Sequence, residues 1–246
     1  MKIENLSKSF GKVKAVDSLS LEVSAGEIYA FLGPNGAGKT TTLRCAAGLL
    51  NPDSGGVEIG GEAVSLDGTG FRKRIAYIPD RPYLYEKLTG WEYLEFIAEV
   101  RELKGWENQA RDFFRFFRIE EAADRLIEGY SHGMKQKLVL ASSLLHKPEL
   151  LLVDEPMVGL DPRSSRDVRD LFKKLATEGC ALLLSTHSLG MAEELAGRIG
   201  IISKGRLLAE GTMEELRRKA GDGAGGLEGV FLQITEEGAD EGREAV

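Results

Sequence analysis

The octapeptide Gly33-Pro34-Asn35-Gly36-Ala37-Gly38-Lys39-Thr40 constrains this chain more than any other stretch. It follows a short apolar run, EIYAFL, and precedes a segment with helical spacing, TTLRCAAGLL. Glycine serves where the backbone turns through positive φ or comes close to a ligand, and consecutive N–H groups then converge into an anion nest. The spacing G-x-x-x-x-G-K-T adds a lysine able to reach β- and γ-phosphates and a Thr40 hydroxyl able to ligate Mg²⁺. The helix that follows, starting near Gly38, aims its positive end at the same phosphates.

The rest of the pattern says what surrounds that loop. VDSLSLEV alternates apolar and polar residues at period two, and residues 1–32 read as β. NPDSGGVEIGGEAV is turn-rich and reads as a hairpin, and RIAYIP as a buried strand. From about Tyr83 to Leu145 helical spacing takes over: LTGWEYLEFIAEVREL, WENQARDFFRFFRI and EEAADRLI read as amphipathic helices of an insert. The strand LLLVDEP follows, then a helix over about Ser164–Thr177, the strand ALLLST, the short helix MAEELAG, the strand IGIIS, a hairpin through GRLLAEG and the helix MEELRRKA. Continuous apolar strands alternating with helices imply a largely parallel sheet covered on both faces. GDGAGG, at 221–226, reads as a flexible linker.

Charge sorts the chain into two parts. The 246 residues carry a net −7, but seven acids and one base lie in residues 221–246 alone. The body, with 31 bases and 32 acids, is nearly neutral and lacks the basic surplus of a bulk nucleic-acid binder, so no nucleic-acid partner is expected. Two cysteines exclude a disulfide scaffold and a four-cysteine zinc site. No apolar run is long enough to span a bilayer, and the start lacks the apolar core of a signal peptide, so a cytoplasmic chain is expected.

Four further places carry chemistry. Asp154 and Glu155 end the apolar strand LLLVD, with Asp154 lying 115 positions after Lys39. As strand-end acids they are either solvated or placed to hold Mg²⁺ (Asp154) and to take a proton from an attacking water (Glu155). Ser131 reads as the N-cap of a helix over HGMKQKL, with Gly133 leaving room for approach; this is either a plain capped helix or a second anion site. His187 stands just past the strand ALLLST, where a lone histidine is more often structural than catalytic. His146, before Lys147-Pro148 at a helix end, reads as structural. The aromatics Tyr83, Tyr85 and Trp91 read either as insert core or as an exposed contact face.

Together these motifs, in order and spacing, resemble the nucleotide-binding subunits of ATP-binding cassette (ABC) transporters over residues 1 to about 235. The resemblance implies an α/β fold: a P-loop NTPase core with a mostly parallel sheet, an N-terminal antiparallel β subdomain and an inserted α-helical subdomain. Residues 1–220 would form the ATPase domain, with the insert at about 83–145, and residues 221–246 a linker, a short helix over LEGVFLQIT and an acidic, disordered end. It implies ATP and Mg²⁺ as ligands, with Phe10 stacking on adenine and Gly33, Pro34, Asn35, Gly36, Ala37, Gly38, Lys39, Thr40 and Thr41 cradling phosphate. Asp154 takes the place of the acid that serves Mg²⁺, Glu155 that of the catalytic glutamate, His187 that of the switch histidine at the γ-phosphate, and Gly159-Leu160-Asp161 that of the D-loop.

Ser131-His132-Gly133-Met134 stands where the family signature is usually SGGQ, so His132 and Met134 are departures. Asp80, in YIPD, stands where most relatives have glutamine; it can still serve Mg²⁺ through water while adding charge near the phosphates. In the family, two subunits pair head to tail as homodimer or heterodimer, each signature closing over the other's ATP. Integral membrane permease subunits are the partners, met by the segment Arg81–Tyr93, and the subunit sits on the cytoplasmic face of the membrane. YSHGMKQKL and YIPDRPYLYEKLTGWEYL are similar to an exporter-like branch, Ecs-type or drug and bacteriocin exporters. An iron–sulfur cluster assembly ATPase of similar size and a regulatory nucleotide-binding module without turnover are the competing readings. The single cassette and the absence of sustained heptads between the motifs set aside translation-associated and chromosome-maintenance relatives.

Overall fold

The computed structural model describes residues 1–81, 83–220 and 226–241. Its N-terminal part is an antiparallel sheet. Strands β1 (Lys2–Phe10) and β2 (Val13–Glu22) form a hairpin, and β4 (Ser54–Ile59) with the short β5 (Glu62–Ala63) extends it in the order β2-β1-β4-β5. Between them in sequence run β3 (Ile28–Leu32) and α1 (Lys39–Ala46). The second sheet adds β6 (Ile75–Ile78), β7 (Leu150–Asp154), β8 (Ala181–Thr186), β9 (Arg198–Ser203) and β10 (Arg206–Gly211) in the order β10-β9-β3-β8-β7-β6. All of its pairings are parallel except β9–β10.

The apolar runs are continuous because both faces of the second sheet are covered. Along β7, Leu151 and Val153 join a core with the helical insert, whereas Leu150 and Leu152 join a core with α1 and the antiparallel sheet. β8 splits in the same way, Leu182 and Leu184 against Ala181 and Leu183. The insert consists of α2 (Gly90–Val100), α3 (Trp106–Phe116) and α4 (His132–Leu144), and α5 (Pro162–Thr177) adds Val168 and Phe172 to the same core. A third core gathers Ala30 and Leu32 with α6 (Leu189–Leu195), α7 (Met213–Ala220) and α8 (Leu227–Glu241).

Two expectations change, and one open alternative is decided. EEAADRLI is not an α-helix: one 3₁₀ turn covers Glu120–Ala122 and a second begins at its last residue, Ile127–Gly129. Its backbone is used elsewhere. Gly90 and Trp91 donate to the Arg125 and Ala123 carbonyls, satisfying N–H groups that the start of α2 leaves open, and Ile127 N–H donates to Leu88 O. Trp91 is not an exposed aromatic: it stacks against Trp106 and Phe114 at 5.2 and 6.2 Å, while Tyr83 is 90% exposed and Tyr85 60%. The C-terminal helix is longer than LEGVFLQIT, running to Glu241, because Leu227, Val230 and Ile234 form a helical stripe buried against the third core. The linker residues 221–225 and the last five residues lie outside the described ones. Among the described residues, no helix is long and apolar enough to cross a membrane.

Candidate functional site

Parallel pairing of β3, β8, β7 and β6 carries the C-terminal ends of four strands to one edge of the sheet. Leu32 pairs with Thr186 and Asp154 with Ser185, so Gly33, Asp154, Glu155 and His187 emerge side by side; Ile78 pairs with Val153, which brings Asp80 to the same edge. A cleft of about 320 Å³ opens there, lined by Phe10, Asn35, Gly36, Gly38, Lys39, Thr40, Thr41, Asp80, Asp154 and Glu155, with Ala15 beside them. Gly33 and Ala37 are buried behind this lining, while Pro34 is exposed and outside it. Gly33 N–H donates to Thr186 O, and Ala37 O accepts from Gly205 N–H. Gly38 has φ 106°, and a Cβ there would fall 2.3 Å from Ala15 O, so only glycine fits.

The start of α1 has no side-chain cap, which leaves its first N–H groups to the cleft. Lys39 is buried, and its Nζ donates to Gly33 O at 2.6 Å and Pro34 O at 3.0 Å. Burial lowers its pKa from the usual lysine value, opposed by the charges of Glu155 and Asp154. Thr40 Oγ1 donates to Asp154 Oδ2 at 2.7 Å, and Ser185 Oγ donates to the other oxygen of Asp154. His187 Nδ1 lies 2.8 Å from Glu155 Oε1, an arrangement in which the ring donates and Nε2 remains free. Phe10 is 52% exposed at the mouth, with the Lys8 ammonium 5.9 Å from its ring centroid.

Ser131, His132, Gly133, Met134 and Asp161 do not border this cleft. Ser131 caps α4, its Oγ accepting from Met134 N–H at 3.3 Å, while the Met134 side chain packs on the apolar core. Ser131 and His132 are exposed. The small size of Gly133 also has an internal use, since a Cβ there would sit 3.0 Å from Gly159 O. Asp161 caps α5, and its hydrogen bonds from Ser164 hold its pKa down at about 2. His146 is structural: its Nε2 donates to Ile75 O at 2.9 Å, and burial pushes its pKa down to about 4.

A family model described as ABC transporter matches residues 16–158. The chain belongs to the ABC transporter family. It is an ATP-binding, ATP-hydrolysing subunit of that family. The daunorubicin resistance ATP-binding protein DrrA3 of Streptomyces coeruleorubidus is 38% identical over 221 residues, covering 89% of this chain and 70% of its own. The ABC-type transporter ATP-binding protein EcsA of Bacillus subtilis is 32% identical over 241 residues, covering 97% and 98%. A solved structure of the ATP-binding subunit of an ABC transporter superposes with a TM-score of 0.90 at 32% identity, covering 95% of this chain and 98% of that one. These relatives favour the transporter reading over cluster assembly.

Sequence reasoning missed Ser185, which holds Asp154, and Ala15 and Gly205, which brace the phosphate loop. The polar end of the strand ALLLST was a signal for the first. Contacts brought together by the fold from distant stretches left none for the other two.

Proposed function

We propose that this subunit powers export through separate membrane permease subunits, on the cytoplasmic face of the membrane, by closing on a second ABC subunit when ATP is bound. One observation carries this reading. The phosphate loop, Asp154 and the Glu155–His187 pair converge on one cleft, whereas a second helix start suited to anions, with Ser131 and His132 exposed, stands outside it. A single copy therefore carries two halves of a site that do not meet, as head-to-tail pairing requires. The resistance in the name of one relative fits export. Residues 1–220 act as the ATPase domain, with 83–145 as its helical insert.

Phe10 stacks on adenine, and residues 33–41 bind the phosphates. Lys39 exchanges its two carbonyl partners for phosphate oxygens, in a buried setting that strengthens each charge contact. Thr40 and Asp154, with Asp80 through water, would hold Mg²⁺, which would supply neutralisation of phosphate charge. Glu155 accepts the proton of the attacking water. Its bond to Nδ1 orients His187, leaving Nε2 for the γ-phosphate. Ser131 to Met134 and the loop ending at Asp161 close over the ATP of the opposite subunit.

The test is Glu155→Gln with Mg-ATP. We expect hydrolysis to fall by roughly 100-fold or more and a stable dimer to appear by sedimentation. Hydrolysis at the wild-type rate in the complex with permease would remove Glu155 as the base.

A further inference from the structure

His132 is the residue that departs furthest from the family signature, and the fold gives it a specific neighbour. A Cβ built on Gly159 would lie 2.0 Å from His132 Cδ2 and 2.5 Å from Nε2. The imidazole therefore occupies the space over the Gly159 backbone, in the loop between Glu155 and Asp161. Glycine in the signature would leave that space empty. The loop's internal bonds, Val158 N–H to Glu155 O and Leu160 N–H to Met157 O, lie at the long end of the ordinary range, 3.2 and 3.3 Å. Glu155 itself has a left-handed backbone at φ 50°, unusual for a residue with a side chain. The ends are held, Glu155 N–H by Ser185 O at 3.1 Å and Asp161 by Ser164 with Lys137 3.9 Å away. Met157 and Leu160 pack on the apolar core, which leaves Val158 and Gly159 as the exposed turn that the ring covers.

We propose that His132 is a positioning residue that clamps the Glu155–Asp161 loop through Gly159, linking the exposed signature helix start to the loop that carries Glu155. This deepens the reading above and rests on it for its effect on hydrolysis. When the opposite subunit's nucleotide settles on the start of α4, the movement of that turn is passed to Gly159, and from there to Glu155 four residues earlier.

Two measurements on the full chain test the clamp. In amide hydrogen exchange, His132→Gly is expected to speed exchange over residues 157–160 by roughly tenfold and to leave α1 unchanged. His132→Phe, which keeps a flat ring over Gly159, is expected to retain the protection. In ATPase assays with permease, His132→Gly is expected to lower kcat several-fold, with ATP affinity of the isolated chain unchanged. Gly159→Ala alone meets both the ring and an unfavourable φ of 80°, so its activity loss is expected to be partly relieved when combined with His132→Gly. Unchanged loop exchange in His132→Gly, or a Gly159→Ala loss that is the same in both backgrounds, overturns the clamp. If the wild-type complex hydrolyses no ATP, the functional reading fails, and the exchange experiment still decides the contact.

Discussion

The starts of α1 and α4 are built differently, and the difference separates what one copy does from what two must do. α1 begins at Gly38 in a left-handed conformation with no side-chain cap, behind a buried Lys39 and at the edge of a cleft. α4 begins at Ser131, whose hydroxyl caps Met134 N–H, on an exposed surface outside that cleft. An uncapped, walled helix start is ready to bind phosphate within one copy. A capped, open one is stable alone, as the proposed pairing with a second subunit's nucleotide needs.

The contrast can be broken in order of expected effect. Lys39→Ala removes the buried cation from the walled start. ATPase activity is expected to fall roughly 100- to 1,000-fold, with ATP binding to the isolated chain lost as well by titration calorimetry. Ser131→Ala should separate the two starts most cleanly. Hydrolysis in the assembled complex is expected to drop roughly 10- to 100-fold through one lost bond to a charged group, while the isolated chain binds ATP as before. The same variant loses a cap, which costs about 1 kcal/mol of stability by denaturant titration. If isolated-chain ATP binding falls with it, the two starts are not independent.

Phe10→Ala is expected to weaken ATP binding by about 1–3 kcal/mol without changing the kcat of the saturated complex, and Phe10→Trp to restore it. The last prediction concerns His146, far from both starts, and bears on stability rather than on activity. Its folded pKa of about 4 lies below its ordinary value of 6.5. The unfolded chain therefore binds the extra proton between those values, and the contribution of His146 is complete above about pH 6.5 and lost as pH falls toward 4. Thermal midpoints are expected to decline across that window, and less steeply in His146→Gln.

Much of the site was legible because it is local. The phosphate loop, the acids ending LLLVD and the capped start at Ser131 each lie within a few residues, so spacing alone exposes them. Where local pattern met a tertiary demand, it lost. EEAADRLI has helical spacing, but its carbonyls are taken by the start of α2, and Trp91, which the sequence left open between core and contact face, packs against Trp106 and Phe114. The negative charge of residues 221–246 likewise suggested a disordered end, yet α8 continues to Glu241 on the stripe that Leu227, Val230 and Ile234 bury.

By itself the sequence determined which groups could touch a phosphate, because the geometry of a turn and of a helix start is encoded in adjacent residues. Only the tertiary structure decided which of them share a cleft. Parallel strand register sets Asp154 beside Ser185 and His187 beside Glu155, residues more than thirty positions apart in the chain, and the same register leaves the start of α4 outside. It also laid the His132 ring on Gly159, a contact between two loops that no spacing announces.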